Sequence, residues 1–161
     1  MISIVPDIID KKSSDSISDI SNGMHTNFNR PIIKEVAEKY NKKIGGLVLG
    51  PPSYWRVERK RQGHNWHFDG CRKVDGKFIN NHMSWCDYGT SILLSPPNEF
   101  EGGELEYKNE KGEIITVDKK SHYLSGYIYT GNGNAPLEHR VTGHTGNRKV
   151  LLMFFKSKKS D

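Results

Sequence analysis

Apolar residues follow a helical spacing in one segment of the first third of the chain. Four of them recur at positions i, i+3, i+4 and i+7, which places them on one face of a helix. They are Ile33, Val36, Ala37 and Tyr40. Pro31 suits the first turn of this helix, and Gly45-Gly46 ends the pattern. The spacing predicts one amphipathic helix of about 12 residues that packs its apolar face on a sheet.

From Leu47 onward the chain consists of short apolar or alternating segments, which are typical of strands. Turn residues such as Pro51-Pro52, Pro96-Pro97 and Lys111-Gly112 separate them. The predicted strands are 47–49, 53–60, 64–69, 89–95, 104–108, 113–118, 126–130 and 148–155. Many short strands after one or two helices favour an α+β fold with a double-stranded β-helix (jelly roll) core over a parallel sheet.

The length of 161 residues indicates a single domain with a sizeable core. We expect residues 1–46 to form an N-terminal helical support, 47–155 the jelly-roll core and 156–161 a basic tail. The segment 70–88 is long enough to form a hairpin lid, and Asp75-Gly76 at its centre is a hairpin turn signal.

Charge and composition add limits on location and partners. The formal net charge is +5, and part of the excess lies in the runs Arg56–Arg61 and Lys156–Lys159. We interpret these runs as solvated strand ends and a frayed terminus, with attraction to an acidic partner as the alternative. The sequence has no membrane-spanning segment and no basic region before its first apolar run, so we expect a cytoplasmic protein. Cys71 and Cys86 could form one bridge, and the sequence does not decide whether they pair.

The most informative motif is His67-Phe68-Asp69. On an extended strand, residues i and i+2 project to one face, so the imidazole and the carboxylate can meet one ion. The motif alone is common on surface strands, but His139 precedes the last predicted strand, and a jelly roll brings such distant strand ends together. Two histidines and one carboxylate can hold Fe(II) on one face and leave other positions open. We interpret the remaining histidines as surface, core or supporting residues; they are His25, His64, His82, His122 and His144.

Arg148 opens the apolar run that ends at Phe155. A charged residue at the head of a buried strand needs a partner, because an unpaired buried charge is costly. One interpretation is an ordinary salt bridge. The other is a guanidinium fork that binds a ligand carboxylate through two parallel hydrogen bonds.

Further motifs resemble the 2-oxoglutarate/Fe(II)-dependent dioxygenases, in their prolyl-4-hydroxylase-like branch. They are the run Phe100–Leu105, the Gly-led strand 126–130, the run Leu137–Val141 and Arg148, and the resemblance extends over about residues 53–155. It implies that His67, Asp69 and His139 hold Fe(II), that Arg148 binds the distal carboxylate of 2-oxoglutarate, and that Val141 lines this pocket. It also implies O2 as a cosubstrate, ascorbate as a reductant and hydroxylation of an unactivated C–H bond.

One feature of that branch is missing from this chain. Many members carry a tyrosine shortly before the HxD motif that contacts 2-oxoglutarate, whereas no tyrosine lies between Trp55 and His67 here. Tyr54, Arg59 or a residue of the segment Ser91–Leu94 could supply this second contact.

The leading substrate is a prolyl residue in a peptide or protein. Trp66, Trp85 and Tyr88 flank the metal motif and could form an aromatic wall for it, or could be core residues. A free amino acid or another small molecule is the alternative substrate. Nucleic-acid demethylases of the superfamily carry a second arginine where this chain has Phe154, which disfavours a nucleic acid.

Two readings outside this family stay open: a non-catalytic cupin-like ligand-binding module, and a cupin-type metal enzyme that does not use 2-oxoglutarate. Arg148 has no evident role in either. The sequence carries no signal for an oligomeric state.

Overall fold

The computed structural model describes residues 1–20 and 23–158. The helices of this part are α1 (Lys11–Ile17), α2 (Pro31–Ile44) and α3 (Lys119–His122). The strands up to the middle of the chain are β1 (Ile2–Val5), β2 (Leu47–Val48), β3 (Tyr54–Glu58), β4 (His64–His67), β5 (Cys71–Val74), β6 (Lys77–Asn80) and β7 (Tyr88–Leu93). The later strands are β8 (Phe100–Gly102), β9 (Leu105–Lys108), β10 (Ile114–Thr116), β11 (Gly126–Thr130), β12 (His139–Val141), β13 (His144–Gly146) and β14 (Val150–Ser157).

Helix α2 is the amphipathic helix that the apolar spacing predicts, and that prediction is confirmed. Pro31 occupies its first turn, and at its end Gly45 adopts φ +84° while its N–H donates to the carbonyl of Asn41. All four residues of the predicted apolar face are fully buried. The Tyr40 ring lies 6.0 Å from the Phe155 ring, measured between centroids, so the helix packs on the large sheet.

The large sheet is antiparallel and has the order β1-β11-β7-β14-β2, with β3 also paired to β14. Strand β14 lies inside this sheet and is buried on both faces, which explains its unbroken apolar run. One face of β14 points to α2 and the main core, and its residues are Leu151, Met153 and Phe155. The other face belongs to a second cluster, and its residues are Val150, Leu152 and Phe154.

A second antiparallel sheet has the order β10-β9-β12-β4, and its residues line one cavity together with residues of this second cluster. The pair β13–β8 and the hairpin β5–β6 complete the strands of the described part. The predicted fold class, α+β with a jelly-roll core and N-terminal helices, is confirmed. The hairpin turns at Asp75 and Gly76, both with positive φ, as the turn signal predicts.

The ends of the domain differ from the expected division. Residues Ile2–Val5 are not part of a helical support: they form β1, whose ladder with β11 places them at the edge of the large sheet. The expected basic tail begins inside a strand, because Lys156 and Ser157 of β14 pair with β2. Residues 159–161 of that tail lie outside the described residues.

The sequence analysis did not predict β8, β12 and β13, because a strand of three residues is too short to show an alternating pattern. Cys71 and Cys86 are both buried and are not joined by a disulfide. Among the helices of residues 1–20 and 23–158, none has both the length and the apolar composition required to cross a membrane.

The contact between α2 and the large sheet yields a stability prediction. Ile33→Ala should lower the free energy of unfolding by about 2 to 4 kcal/mol, because Ile33 is fully buried and its truncation leaves a cavity. Its exposed neighbour provides the control: Lys34→Ala should change stability by no more than about 0.5 kcal/mol. Urea unfolding of both variants measures the difference, and equal effects would contradict this packing.

Candidate functional site

His67, Asp69 and His139 come together at the end of β4. The Asp69 Oδ1 atom lies 3.2 Å from His67 Nε2 and 3.3 Å from His139 Nε2. One potential ligand atom from each side chain lies within 4.8 Å of the other two. Asp69 and His139 are buried, whereas about a third of the His67 side chain is exposed. The site is therefore accessible from the His67 side.

Both imidazoles are oriented by hydrogen bonds with nearby backbone carbonyls. His67 Nδ1 lies 2.7 Å from the carbonyl oxygen of Asn65, and His139 Nδ1 lies 3.0 Å from that of Leu137. A carbonyl oxygen only accepts, so each Nδ1 is the protonated nitrogen and donates. Nε2 is then the nitrogen that faces Asp69 on each ring, and in the neutral imidazole it carries the lone pair that a metal ligand requires.

The electrostatics of the cluster favour a cation. Burial alone would disfavour ionisation of Asp69, but the imidazoles of His139 and His67 outweigh it and hold the pKa of this carboxyl well below its usual range. For His67, burial opposes protonation while the Asp69 hydrogen bond favours it, and the pKa of the imidazole is raised. The same carboxylate field would favour a bound metal ion. The second oxygen, Asp69 Oδ2, is buried and has no hydrogen-bond partner.

Strand register creates this cluster. In the ladder between β12 and β4, His139 lies opposite His67 and Val141 lies opposite His64. Two steps along β12 therefore match three steps along β4, and this irregularity is a β-bulge. Regular alternation would point residues three apart to opposite faces. The bulge instead turns both His64 and His67 toward the same cavity.

Arg148 lies just before β14 and is 4% exposed. Its Nε donates to the carbonyl oxygen of Gly103 at 3.1 Å, and within residues 1–20 and 23–158 no carboxylate oxygen lies within 4.0 Å of its guanidinium nitrogens. Burial lowers the pKa of Arg148 to about 10, against the opposing effects of Glu58 and Glu104, so it stays protonated at neutral pH. The ordinary salt bridge of the sequence analysis is absent from the described residues.

The Gly-Gly turn before β9 makes room for this arginine. Gly103 has φ +63°, and a Cβ atom built there would lie 2.5 Å from Arg148 Cδ and 2.7 Å from its Nε. Any side chain at residue 103 would therefore displace the guanidinium. Gly103 of the sequence motif thus contributes to the position of Arg148.

His67, Asp69 and His139 line one cavity with Arg148, and its volume of about 320 Å³ is within the range of small-molecule sites. Apolar side chains cover much of the wall between them, including Leu105, Val141, Val150 and Leu152. Val141, which the sequence analysis assigns to the 2-oxoglutarate pocket, thus lines the same cavity as Arg148. Four aromatic residues also line the cavity: Tyr54, Phe68, Tyr129 and Phe154.

The candidate substrate residues Trp66, Trp85 and Tyr88 do not line this cavity. Trp66 points to the outer face of β4, where Arg140 and Lys108 each place a cationic group 4.7 Å from its ring centroid. Trp85 packs edge-on against Tyr54, and Tyr88 packs against the main core. The aromatic residues that line the cavity are therefore not the three that the sequence analysis proposed.

Some of the candidates for the second cosubstrate contact line the cavity and others do not. Tyr54 and Ser91 line the cavity. Arg59 does not, because its guanidinium donates to the backbone carbonyls of Ser18 and Ile20 and fixes the N-terminal segment to β3. That interaction was not expected from sequence.

Arg56 and Glu58 line the cavity, although the run Arg56–Arg61 was interpreted as a solvated strand end. That interpretation is wrong for these two residues. They alternate with buried Trp55 and Val57 on β3, so they share the cavity face with Tyr54. The period-two alternation over residues 54–58 was the signal that could have identified them.

No protein-family model and no curated protein sequence matches the chain. A prolyl-4-hydroxylase from Pseudomonas putida has a TM-score of 0.67 at 10% identity, covering 98% of this chain and 85% of that one. A prolyl hydroxylase from Trichoplax adhaerens, in complex with a hypoxia inducible factor peptide fragment, has a TM-score of 0.66 at 12% identity, covering 98% and 84%.

HygX from Streptomyces hygroscopicus, with nickel, 2-oxoglutarate and hygromycin B bound, has a TM-score of 0.60 at 10% identity, covering 98% of this chain and 83% of that one. At these identities the likeness shows a shared fold. The resemblance to the prolyl-4-hydroxylase-like branch of the 2-oxoglutarate/Fe(II)-dependent dioxygenases is confirmed at that level.

Gly89 of β7 yields a prediction about the metal cluster. A Cβ atom at this residue would lie 2.0 Å from Asp69 Oδ2 and 2.7 Å from Tyr129 Cε2. Gly89→Ala should therefore displace the carboxylate and weaken Fe(II) binding about 10- to 100-fold, as loss of a supporting contact does at other metal sites. Anaerobic Fe(II) titration measures the affinity.

The control for this variant is Gly50→Ala, because a Cβ atom there would have no neighbour within 4 Å. Circular dichroism verifies that both variants are folded. Similar Fe(II) affinity in the two variants would contradict the proposed position of Asp69 in the metal site.

Proposed function

We propose that this chain is an Fe(II)- and 2-oxoglutarate-dependent dioxygenase that hydroxylates an unactivated C–H bond. One observation supports the proposal more than any other. The His67, Asp69 and His139 cluster shares a cavity with a buried arginine, Arg148, that has no carboxylate partner in the described residues. A metal ligand set and an unpaired buried cation suit a ligand that carries a metal-binding group at one end and an anion at the other.

The residues present fit a divalent metal such as Fe(II). The two Nε2 atoms and Asp69 Oδ1 converge, and the buried Asp69 Oδ2 has no other partner. Two nitrogens and one oxygen on one face are the ligand set of non-haem iron oxygenases, and the other positions remain available to small ligands. Bound Fe(II) would supply the activation of O2 that couples conversion of 2-oxoglutarate to succinate and CO2 with hydroxylation, and ascorbate is the implied reductant.

The protein would contribute binding, orientation and exclusion of water. Arg148 would bind the distal carboxylate of 2-oxoglutarate bidentately, which relieves the cost of a buried unpaired charge. Tyr54 or Ser91 would supply the second polar contact, since both line the cavity. Leu105, Val141 and the apolar residues of β14 would exclude water from the space between.

A prolyl residue in a peptide or protein is the leading substrate within this proposal. The hairpin β5–β6 has exposed apolar side chains, at Val74, Phe78 and Ile79, and the residues after it, Asn81, His82 and Met83, line the cavity. Apolar groups beside a cavity mouth suit a polypeptide segment. The neighbour from Trichoplax adhaerens is a complex with a peptide fragment.

A small molecule is the second candidate substrate. The structure of HygX, which has the same fold, contains bound hygromycin B. A non-catalytic ligand-binding module of this fold would need neither the metal tautomers of His67 and His139 nor the unpaired charge of Arg148, so these observations favour an enzyme.

Cosubstrate binding tests the reaction class. Anaerobic protein with Fe(II) and 2-oxoglutarate should develop a visible charge-transfer band, and His139→Ala should abolish it because one of three ligands is lost. Arg148→Met should weaken 2-oxoglutarate binding about 10- to 100-fold, the worth of a charge-assisted hydrogen-bonded pair, while Fe(II) affinity stays unchanged.

Arg140→Met is the matched control, because Arg140 pairs with Glu106 on the outer face and does not line the cavity. It should retain the band and both affinities. Folded, Fe(II)-loaded wild-type protein without the band would overturn the proposed function. Loss of Fe(II) in Arg148→Met would mean that Arg148 supports the metal instead.

Turnover tests the substrate class. Proline-containing peptides should raise succinate formation above the substrate-free rate and gain one oxygen atom by mass spectrometry, whereas matched peptides with alanine for proline should not. Free amino acids, aminoglycosides and methylated oligonucleotides form the comparison set. Product from an amino acid or aminoglycoside, with none from the peptides, would replace the peptide assignment with the small-molecule alternative.

A further inference from the structure

Glu58 is a carboxylate on the same face of the sheet as Arg148. Strands β3 and β14 are antiparallel, and Glu58 lies directly opposite Val150. Arg148 lies two residues before Val150, so it is the diagonal neighbour of Glu58 across the two strands. Diagonal neighbours on one face are about 7–8 Å apart at their backbones, within reach of long side chains. Glu58 and Arg148 also both line the cavity.

The Glu58 carboxylate nevertheless binds other partners. Its Oε1 lies 3.0 Å from Arg56 Nη2, and its Oε2 lies 2.9 Å from His64 Nε2. Both oxygens are thereby engaged, and neither is within 4.0 Å of the Arg148 guanidinium. Burial opposes ionisation of Glu58, but the His64 hydrogen bond and the neighbouring cations hold the pKa of Glu58 below its usual range.

The residues that hold Glu58 are themselves fixed. Arg56 lies over the ring of Phe154, with its guanidinium carbon 5.8 Å from the ring centroid. His64 faces the cavity because of the β-bulge in β4. Glu104, the other carboxylate that influences Arg148, lies 3.1 Å from Lys119. Each carboxylate near Arg148 therefore has a partner that draws it elsewhere.

A carboxylate tethered beside a buried cation would compete strongly with a free anion. Its effective concentration is set by the short tether and reaches the millimolar range or above. If Glu58 were released from its partners, it would pair with Arg148 and occupy the position of the distal carboxylate of a ligand.

We infer that Arg56 and His64 are positioning residues that hold Glu58 away from Arg148 and so keep the anion-binding end of the cavity free for 2-oxoglutarate. This inference rests on the proposed function. It assigns to Glu58, Arg56 and His64 a role in cosubstrate affinity that does not require any of them to touch the cosubstrate.

Calorimetric titration of anaerobic, Fe(II)-loaded protein with 2-oxoglutarate tests the inference. Arg56→Gln frees one carboxylate oxygen of Glu58. It should weaken binding about tenfold if Glu58 then pairs with Arg148 in nine molecules of ten, because only the remaining tenth can bind. Glu58→Gln should bind at least as tightly as the wild type. The double variant Arg56→Gln/Glu58→Gln should regain wild-type affinity, and Arg56→Lys should regain part of it.

The controls separate this role from a general loss of structure. Arg140→Gln removes an arginine from an Arg–Glu pair outside the cavity, at 2.8 Å from Glu106, and should leave the affinity unchanged. Fe(II) affinity should be the same in Arg56→Gln and in the double variant, and circular dichroism should show that both are folded.

Two outcomes would overturn the inference while the proposed function stands. Wild-type affinity in Arg56→Gln would mean that Glu58 does not move to Arg148. Equally weak binding in Arg56→Gln and in the double variant would mean that Arg56 acts on the ligand directly. Wild-type protein that binds Fe(II) but no 2-oxoglutarate would overturn the proposed function, and the inference with it.

Discussion

The pairing of β12 with β4 determines the geometry of the candidate site. It places His139 directly opposite His67, so two residues far apart in sequence become cross-strand neighbours. A slip of one residue would turn His139 to the outer face, which Arg140 now occupies, and would remove one nitrogen from the cluster. The bulge in β4 adds a second consequence, because it directs His64 as well as His67 into the cavity. The pairing of β12 with β4 thus creates the cluster of His67, Asp69 and His139 and also the contact between His64 and Glu58.

Strands β3 and β14 separate two environments by alternation alone. In residues 54–58 and 150–155, odd-numbered residues enter the core beneath α2 and even-numbered residues line the cavity. Packing on the core side fixes the strands, and with them the positions of the polar residues on the other side. Arg148, just before β14, is buried beside this cavity, and its Nε donates to the carbonyl oxygen of Gly103. The cavity is therefore a property of the whole sandwich.

The sequence could predict what periodicity and residue chemistry encode. Helix α2 followed from its apolar spacing and the main strands from alternation and turn residues. The grouping of His67, Asp69 and His139 followed from the HxD motif and the position of His139. Strand pairing was out of reach, since alternation tells which residues share a face and not what that face meets. The bulge is a tertiary feature, so neither the inward direction of His64 nor the outward direction of Trp66 could be read from residues 64–67. Arg56 and Glu58 were misread because a charge run resembles a solvated surface.

The charged residues that line the cavity differ in whether they have an oppositely charged partner. Asp69 has two imidazole neighbours, and Glu58 has Arg56 and His64. Arg148 alone among the charged residues lining the described cavity has no oppositely charged partner within salt-bridge distance. A buried cation without a partner is costly, and a ligand that brings a carboxylate to it removes that cost. The same carboxylate would be less favoured if Gly103 carried a side chain or if Glu58 were unpaired. On the proposed function, affinity for an anion would therefore depend on the groups kept away from Arg148 as well as on the guanidinium itself.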